Sequence, residues 1–210
     1  STIIIFRVWK INRNRYFSSP ILKIYEPKFL NLEKKCNFYI NELYKEDDLV
    51  HNSNSELFYD LDFKEFIDFI SLKTSYFLDY QGFDISNYKM YFQEMWAQKF
   101  NNKGGGNHTT HIHWNSHVSG FYFIKASENT SFPVFHDPRS AALMSKLPFK
   151  DEKKVSLGSS SINFKVKPGV LFLFNSYLPH EFVVDRGKEE FKFIHWNIQM
   201  LPKGLLKWKW

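Results

Sequence analysis

The chain has 210 residues, of which 43% are hydrophobic and 24% charged, so a disordered protein is excluded and one domain with a full core is expected. Aromatic residues reach 19%, including 23 Phe, and this composition favours strands. The net charge of +6 comes from the first 35 residues, which we interpret as a solvated face, and nucleic acid is not an expected partner.

Cysteine content and hydropathy bear on the compartment. The single cysteine, Cys36, excludes an internal disulfide framework and a Cys-x-x-Cys metal site. The longest apolar run, Ile3–Phe6, is far shorter than the roughly 20 residues that cross a bilayer. We therefore expect a cytoplasmic protein with no signal peptide, no transmembrane segment and no membrane partner.

Residues 1–87 are expected to form a helical and extended support within a single domain of 1–210. The stretch Pro20–Ile24 predicts an extended segment. Apolar residues recur at steps of three and four within 28–45 and 62–78, and this spacing predicts two amphipathic helices.

Residues 88–200 show a β pattern, which begins with one or two strands over 88–99 and a flexible run at Gly104–Gly106. Regular spacing of short apolar runs predicts a β-sandwich or barrel. The further predicted strands are 109–113, 118–126, 132–137, 160–166, 169–174, 180–184 and 191–199. Segment 138–158 is expected to be a loop or short helix between strands.

Histidines and one carboxylate stand at the predicted strand ends. His111 and His113 are two positions apart, so in a strand their side chains share one face. Asp137 lies at the end of another strand, and His180 begins a later one. Two histidines and one carboxylate form the facial set that suits Fe(II), although imidazole and carboxylate also suit Zn(II) or Mn(II).

Four stretches together resemble a family of 2-oxoglutarate/Fe(II)-dependent oxygenases, with members in bacteria and marine phages. The resemblance covers about 88–199. The stretches are His111-Ile-His-Trp-Asn-Ser-His-Val-Ser-Gly-Phe-Tyr-Phe-Ile, Phe135-His-Asp-Pro-Arg, Pro168-Gly-Val-Leu-Phe-Leu-Phe-Asn-Ser-Tyr-Leu-Pro-His180 and His195-Trp-Asn197.

This resemblance implies a prolyl-hydroxylase-like double-stranded β-helix, a jelly roll that is mainly β with flanking α-helices. In relatives, a His-x-Asp pair and a distal histidine bind the iron. Here His113 occupies the position of that aspartate, so we predict His113, Asp137 and His180 as ligands, with His111 as a close competitor. A triad of His111, His113 and His180 stays open.

The resemblance also implies that 2-oxoglutarate needs a cation for its distal carboxylate, and a bidentate arginine is the best match. Many relatives carry that arginine on the last strand, where this chain has Lys192 instead. We favour Arg139 as the anchor over Lys192, with the Tyr122 hydroxyl as an additional donor. Ser119 and Asn197 are predicted polar neighbours of the ligands.

The predicted activity is oxidation of an unidentified second substrate by O₂ and 2-oxoglutarate, most simply hydroxylation, with succinate and CO₂ as products. Two alternatives stay open. A cupin-like metalloenzyme would use His111, His113 and His180 without 2-oxoglutarate. A non-catalytic jelly-roll binding module would carry these histidines without a metal.

Overall fold

The computed structural model describes residues 18–139, 144 and 147–204. This part of the chain contains ten strands and two α-helices, as the predicted mainly β class requires. The strands are β1 (Ile21–Tyr25), β2 (Val50–Asn52), β3 (Tyr88–Phe100), β4 (His108–His111), β5 (Val118–Lys125), β6 (Pro133–His136), β7 (Ser161–Asn163), β8 (Val170–Asn175), β9 (His180–Phe182) and β10 (Lys192–Pro202). The helices are α1 (Glu33–Glu42) and α2 (Lys64–Tyr80), and short 3₁₀ turns cover Pro27–Leu32, Leu57–Tyr59 and Leu61–Phe63.

The strands form two antiparallel sheets. The larger sheet has the order β1-β8-β5-β10-β3-β2, and the smaller has the order β4-β9-β6-β7. Phenylalanines from both sheets, among them Phe121 of β5 and Phe182 of β9, meet in one buried cluster. The space between the sheets is therefore the aromatic interior of a roll. The smaller sheet carries four histidines at its strand ends, His108, His111, His136 and His180.

Both helices pack on the outer face of the larger sheet. Their apolar residues, such as Cys36 of α1 and Phe66 of α2, join a second buried cluster with Tyr122 of β5 and Trp196 of β10. The three-and-four spacing that predicts these helices is the spacing that buries one side of each. Within the described residues, neither helix has the length and apolar character required to cross a bilayer.

Strand β10 lies at the centre of the larger sheet and is buried on both faces. Phe193, His195 and Asn197 point toward the smaller sheet, and Ile194 and Trp196 point toward the helices. Both alternating sets of β10 residues are buried for that reason. This alternation decides which side chains of the strand can reach the interior of the roll.

The predicted strands recur with shifted ends. β4 ends at His111, before His113, and the 160–166 prediction shortens to Ser161–Asn163. Two strands from the first 87 residues, β1 and β2, join the larger sheet, and β2 has no counterpart among the predictions. The apolar run Ile3–Phe6 lies outside the described residues.

Candidate metal centre

Backbone pairing brings three distant histidines to one end of the roll. His111 is the register partner of His180 across β4 and β9. His113 follows β4 in a turn where Asn115 has a φ of 57°, and its N–H donates to the carbonyl of Ser176 at 3.0 Å. The pairing of β4 with β9 fixes the backbone positions of His111 and His180, and the hydrogen bond to Ser176 fixes that of His113.

The three imidazoles converge. One ring nitrogen from each of His111, His113 and His180 lies within 4.8 Å of the other two. The Nε2 atoms of His113 and His180 are 3.2 Å apart. Nitrogen ligands sit about 2 Å from a divalent ion, so three donors at these separations can share one.

Hydrogen bonds set the tautomers of two of these rings. The Nδ1–H of His180 donates to the Leu178 carbonyl at 2.9 Å, and the Nδ1–H of His111 donates to the Thr109 carbonyl at 2.7 Å. Each donation leaves the Nε2 lone pair free. Metal-binding histidines are commonly held in this way by their other nitrogen.

The third ring, that of His113, contacts the side chain of Asn197 instead of a backbone carbonyl. The Asn197 Nδ2 atom lies 2.9 Å from His113 Nδ1 and also donates to the Glu94 carboxylate at 2.5 Å. The Asn197 Oδ1 atom accepts from the Ser119 hydroxyl at 2.5 Å. A terminal amide can present its oxygen or its nitrogen. Here the nitrogen faces His113, and ligation through His113 Nε2 requires the amide to be turned over, so that Oδ1 accepts from Nδ1–H and Nδ2 faces Ser119. Asn197 contacts His113 and Ser119 contacts Asn197, and their predicted role as polar neighbours of the ligands stays a prediction.

Burial keeps the imidazoles of His113 and His180 neutral. It lowers the pKa of His113 to about 3 and that of His180 to about 3, with smaller contributions from neighbouring histidines. Burial also lowers the pKa of His108 to about 4. A neutral imidazole is the form that binds a metal, so His113 and His180 need no deprotonation at neutral pH.

Sequence reasoning did not single out Glu94 or treat His195 as a site residue. Ligand atoms of Glu94, His113 and His195 also lie within 4.8 Å of one another. His195 is fully buried, and it packs against Trp96 at 4.3 Å between ring centroids. Among the residues that the structure describes, its two ring nitrogens have no hydrogen-bond partner. Burial lowers the pKa of His195 well below its usual value. No local pattern marks this group, which the register of β3 with β10 brings together.

Asp137 and Arg139 bind each other. The Arg139 Nε and Nη2 atoms donate to the two Asp137 carboxylate oxygens at 2.9 and 2.8 Å. This pairing lowers the pKa of Asp137. Both residues line a groove of about 440 Å³ that includes Ser19 and Leu178. Within the described residues, the candidate metal-binding groups contain neither of them, so the predicted roles of Asp137 and Arg139 stay predictions.

Lys192 and Tyr122 face away from the histidines, contrary to the expectation that they serve the co-substrate. Lys192 Nζ lies 3.2 Å from Glu33 and 2.9 Å from Glu190, and Glu33 begins helix α1. The Tyr122 hydroxyl donates to the Glu26 carbonyl at 2.8 Å. The physical reason is strand alternation, which puts both residues on the helix-facing side of the sheet.

The space beside the triad is small. A cavity of about 30 Å³ is bounded by histidines and aromatic rings, including His111, His113, Trp96 and Phe193. This is room for about one water molecule. A co-substrate at this position therefore requires the aromatic side chains around it to move.

Residues 94–193 match the model of a protein family described as "Putative 2OG-Fe(II) oxygenase". No curated protein sequence matches the chain. Among solved structures, a prolyl-4-hydroxylase from Pseudomonas putida has a TM-score of 0.57 at 11% identity, over 87% of this chain and 94% of that one.

Two further solved structures share the fold. HygX from Streptomyces hygroscopicus, with nickel, 2-oxoglutarate and hygromycin B bound, has a TM-score of 0.55 at 11% identity, over 91% of this chain and 86% of that one. A viral collagen prolyl hydroxylase from Paramecium Bursaria Chlorella virus-1 has a TM-score of 0.52 at 14% identity, over 85% and 89%. The predicted double-stranded β-helix is confirmed.

Proposed function

We propose that this chain, whose residues 94–193 match the model of the family described as "Putative 2OG-Fe(II) oxygenase", oxidises a second substrate with O₂ and 2-oxoglutarate. Hydroxylation is the simplest such reaction, and succinate and CO₂ are the co-products. The observation that carries the proposal is the convergence of His111, His113 and His180 on one point of a double-stranded β-helix.

The metal ligands in this proposal are the three histidines. Their donor set suits Fe(II), and a bound iron would supply the site with O₂ activation and open coordination positions. His111 and His180 bind through Nε2, because their Nδ1–H groups are engaged by backbone carbonyls. The Asn197 amide contacts the His113 ring and orients it.

The aromatic interior has a role of its own. Phe121, Phe135 and Phe174 surround the His180 ring at centroid distances of 5.6, 6.0 and 4.7 Å. Their burial excludes bulk water from one side of the site.

An anaerobic titration with Fe(II) and 2-oxoglutarate tests the proposal. The purified chain is expected to develop a weak visible charge-transfer band, and His180→Ala is expected to lack it. Under O₂, 2-oxoglutarate is expected to be consumed. Absence of both the band and the turnover would refute the proposed function.

The three-histidine set favours one second candidate, a cupin-like metalloenzyme that does not use 2-oxoglutarate. Such an enzyme binds its metal without an aspartate, and within the described residues no candidate group contains Asp137. Asp137→Ala separates the ligand sets, because loss of metal binding in this variant would establish the two-histidine, one-carboxylate set. Retention of metal binding without 2-oxoglutarate turnover would favour the cupin-like enzyme.

Three further expectations stay predictions: a cytoplasmic location, a phage origin and the lack of a nucleic-acid partner.

A further inference from the structure

The ring of His113 presents one nitrogen to each of two donor groups. Its Nε2 atom lies 3.2 Å from His180 Nε2, on the side of the triad. Its Nδ1 atom lies 2.9 Å from Asn197 Nδ2, and that nitrogen also donates to the Glu94 carboxylate at 2.5 Å. A neutral imidazole has one nitrogen with a free lone pair and one N–H group. His113 therefore binds an ion on the triad side or on the Glu94 side, one at a time.

Strand register brings His195 to the Glu94 side. Glu94 of β3 is the register partner of Asn197 of β10, and His195 lies two residues before Asn197, on the same face of β10. The rings of His113 and His195 are 4.6 Å apart between centroids. Ligand atoms of Glu94, His113 and His195, hereafter the second group, lie within 4.8 Å of one another. Small side-chain shifts bring all three to a single divalent ion.

The His195 side chain is the observation that points to a ligand here. It is 1% exposed, and neither of its ring nitrogens has a hydrogen-bond partner among the residues that the structure describes. A buried polar atom without a partner is unfavourable, and each such atom in a folded protein calls for an explanation. An ion shared with Glu94 and His113 would give one of these nitrogens a partner.

The surroundings of the second group favour an ion of low coordination number. His195 and Asn197 are each 1% exposed, and Trp96 packs on the His195 ring at 4.3 Å between centroids. Zn(II) is commonly satisfied by four ligands, whereas the Fe(II) sites of oxygenases keep positions open for further ligands. The Glu94 carboxylate also offsets part of the charge that burial makes unfavourable. The second group therefore suits Zn(II) better than Fe(II).

We propose that Glu94, His113 and His195 form a second cation position, which takes Zn(II) and withdraws His113 from the triad. The ion replaces the Asn197 N–H group as the partner of His113 Nδ1 and of Glu94. Since Nδ1 then carries the ion, Nε2 keeps its proton and cannot ligate a metal in the triad. Zinc in the second position thus excludes Fe(II) from the first. The zinc position stands without the proposed function, whereas its effect on turnover rests on it.

Zinc titration of the metal-free full chain tests the second position. The His180→Ala background removes a triad ligand and leaves the second group intact, so we expect it to bind Zn(II) in calorimetry. Adding Glu94→Gln to this background is expected to weaken zinc binding by about tenfold or more. Glu128→Gln, at a carboxylate that is 81% exposed, is the matched control and should leave the Kd unchanged. Equal Kd values with and without Glu94→Gln would overturn the inference.

A second ligand and the position of the ion give independent checks. His195→Phe keeps a buried ring and is expected to weaken zinc binding in the same background, with circular dichroism to verify folding. Wild-type crystals grown with Zn(II) should show an anomalous peak at the zinc edge about 2.0–2.2 Å from ligand atoms of Glu94, His113 and His195. A zinc peak held by His111 and His180 instead would overturn the inference, whether or not the variants fold.

Metal competition tests the exclusion of iron. The Fe(II)-loaded wild type is expected to release iron as Zn(II) binds, measured by anaerobic dialysis and metal analysis. Glu94→Gln is expected to require about tenfold more zinc for half release. An unchanged requirement, or zinc binding without release of iron, would overturn the exclusion. If zinc binds in the second position but the zinc-free iron protein consumes no 2-oxoglutarate, the proposed function fails and the zinc position stands.

Discussion

The Nε2 atoms of His113 and His180 lie 3.2 Å apart although the two residues are 67 positions apart in the chain. No hydrophobic pattern requires two neutral imidazoles to meet in this way. A shared ligand accounts for it, because two nitrogen donors around one divalent ion come within a few ångströms of each other. Without the ion, His113 Nε2–H can donate to His180 Nε2 at this distance. The pairing of β4 with β9 places His111 next to His180 as well.

Removal of one imidazole should abolish tight metal binding. His180→Ala deletes a donor and is expected to weaken Fe(II) binding by about a hundredfold or more, beyond the range seen for outer hydrogen-bond partners. Anaerobic Fe(II) titration followed by calorimetry measures this. His117→Ala is the control, because His117 is exposed and receives a hydrogen bond from the Met200 backbone. Equal affinity in His180→Ala and wild type would argue against the triad.

Loss of the polar contact to His113 should weaken metal binding less than loss of a ligand does. Asn197→Ala removes the amide that contacts His113 Nδ1 and is expected to weaken metal binding by about 10–100-fold. Circular dichroism checks that the variant folds, and Gln199→Ala on the same strand serves as the control. Unchanged affinity in Asn197→Ala would mean that the backbone alone orients the ring.

The metal-free protein should lose stability as the pH falls below about 6.5, the ordinary histidine pKa. The folded pKa values of His113 and His180 are lowered to about 3, so the unfolded chain binds more protons below that pH. Each ring then costs up to about 1.4 kcal/mol of unfolding free energy per pH unit, and this contribution is fully restored above about pH 6.5.

Urea unfolding at pH 7, 6 and 5 measures this dependence. A variant with both His113→Gln and His180→Gln should show a flatter decline over the same pH range. A wild-type unfolding free energy that stays constant from pH 7 to 5 would contradict the assignment of neutral, buried imidazoles.

The backbone of Gly120 in β5 lies close to the Trp196 ring of β10 and to the Phe172 carbonyl of β8. A Cβ added there would lie 2.7 Å from the Phe172 carbonyl oxygen and closer still to the Trp196 ring. Gly120→Ala is expected to destabilise the fold by about 1–3 kcal/mol, since a backbone atom cannot yield easily. Gly204→Ala, where nothing lies within 4 Å of the added carbon, is the control for denaturant unfolding. Equal midpoints would refute the packing argument.

Much of the fold follows from local sequence pattern. The spacing of apolar residues at steps of three and four predicted α1 and α2. Short apolar runs separated by turn residues predicted most of the strands. Strand β2 has three residues and depends on pairing with β3, so it leaves little local signal. The end of β4 at His111 depends likewise on its partner β9.

The co-substrate residues were harder to predict, and the reason is physical. β10 is buried on both faces, so hydrophobicity does not reveal which alternate set faces the roll interior. Lys192 and Tyr122 therefore looked available, although both face the helices. Glu94 and His195 reach the site only through the register of β3 with β10, which no local pattern specifies.

The most direct measurement is a crystal structure grown with Fe(II) under anaerobic conditions and collected at the iron absorption edge. The account predicts one anomalous peak about 2.0–2.2 Å from a ring nitrogen of each of His111, His113 and His180. A peak held by Glu94 and His195 instead, or no peak with His113 and His180 turned apart, would contradict it.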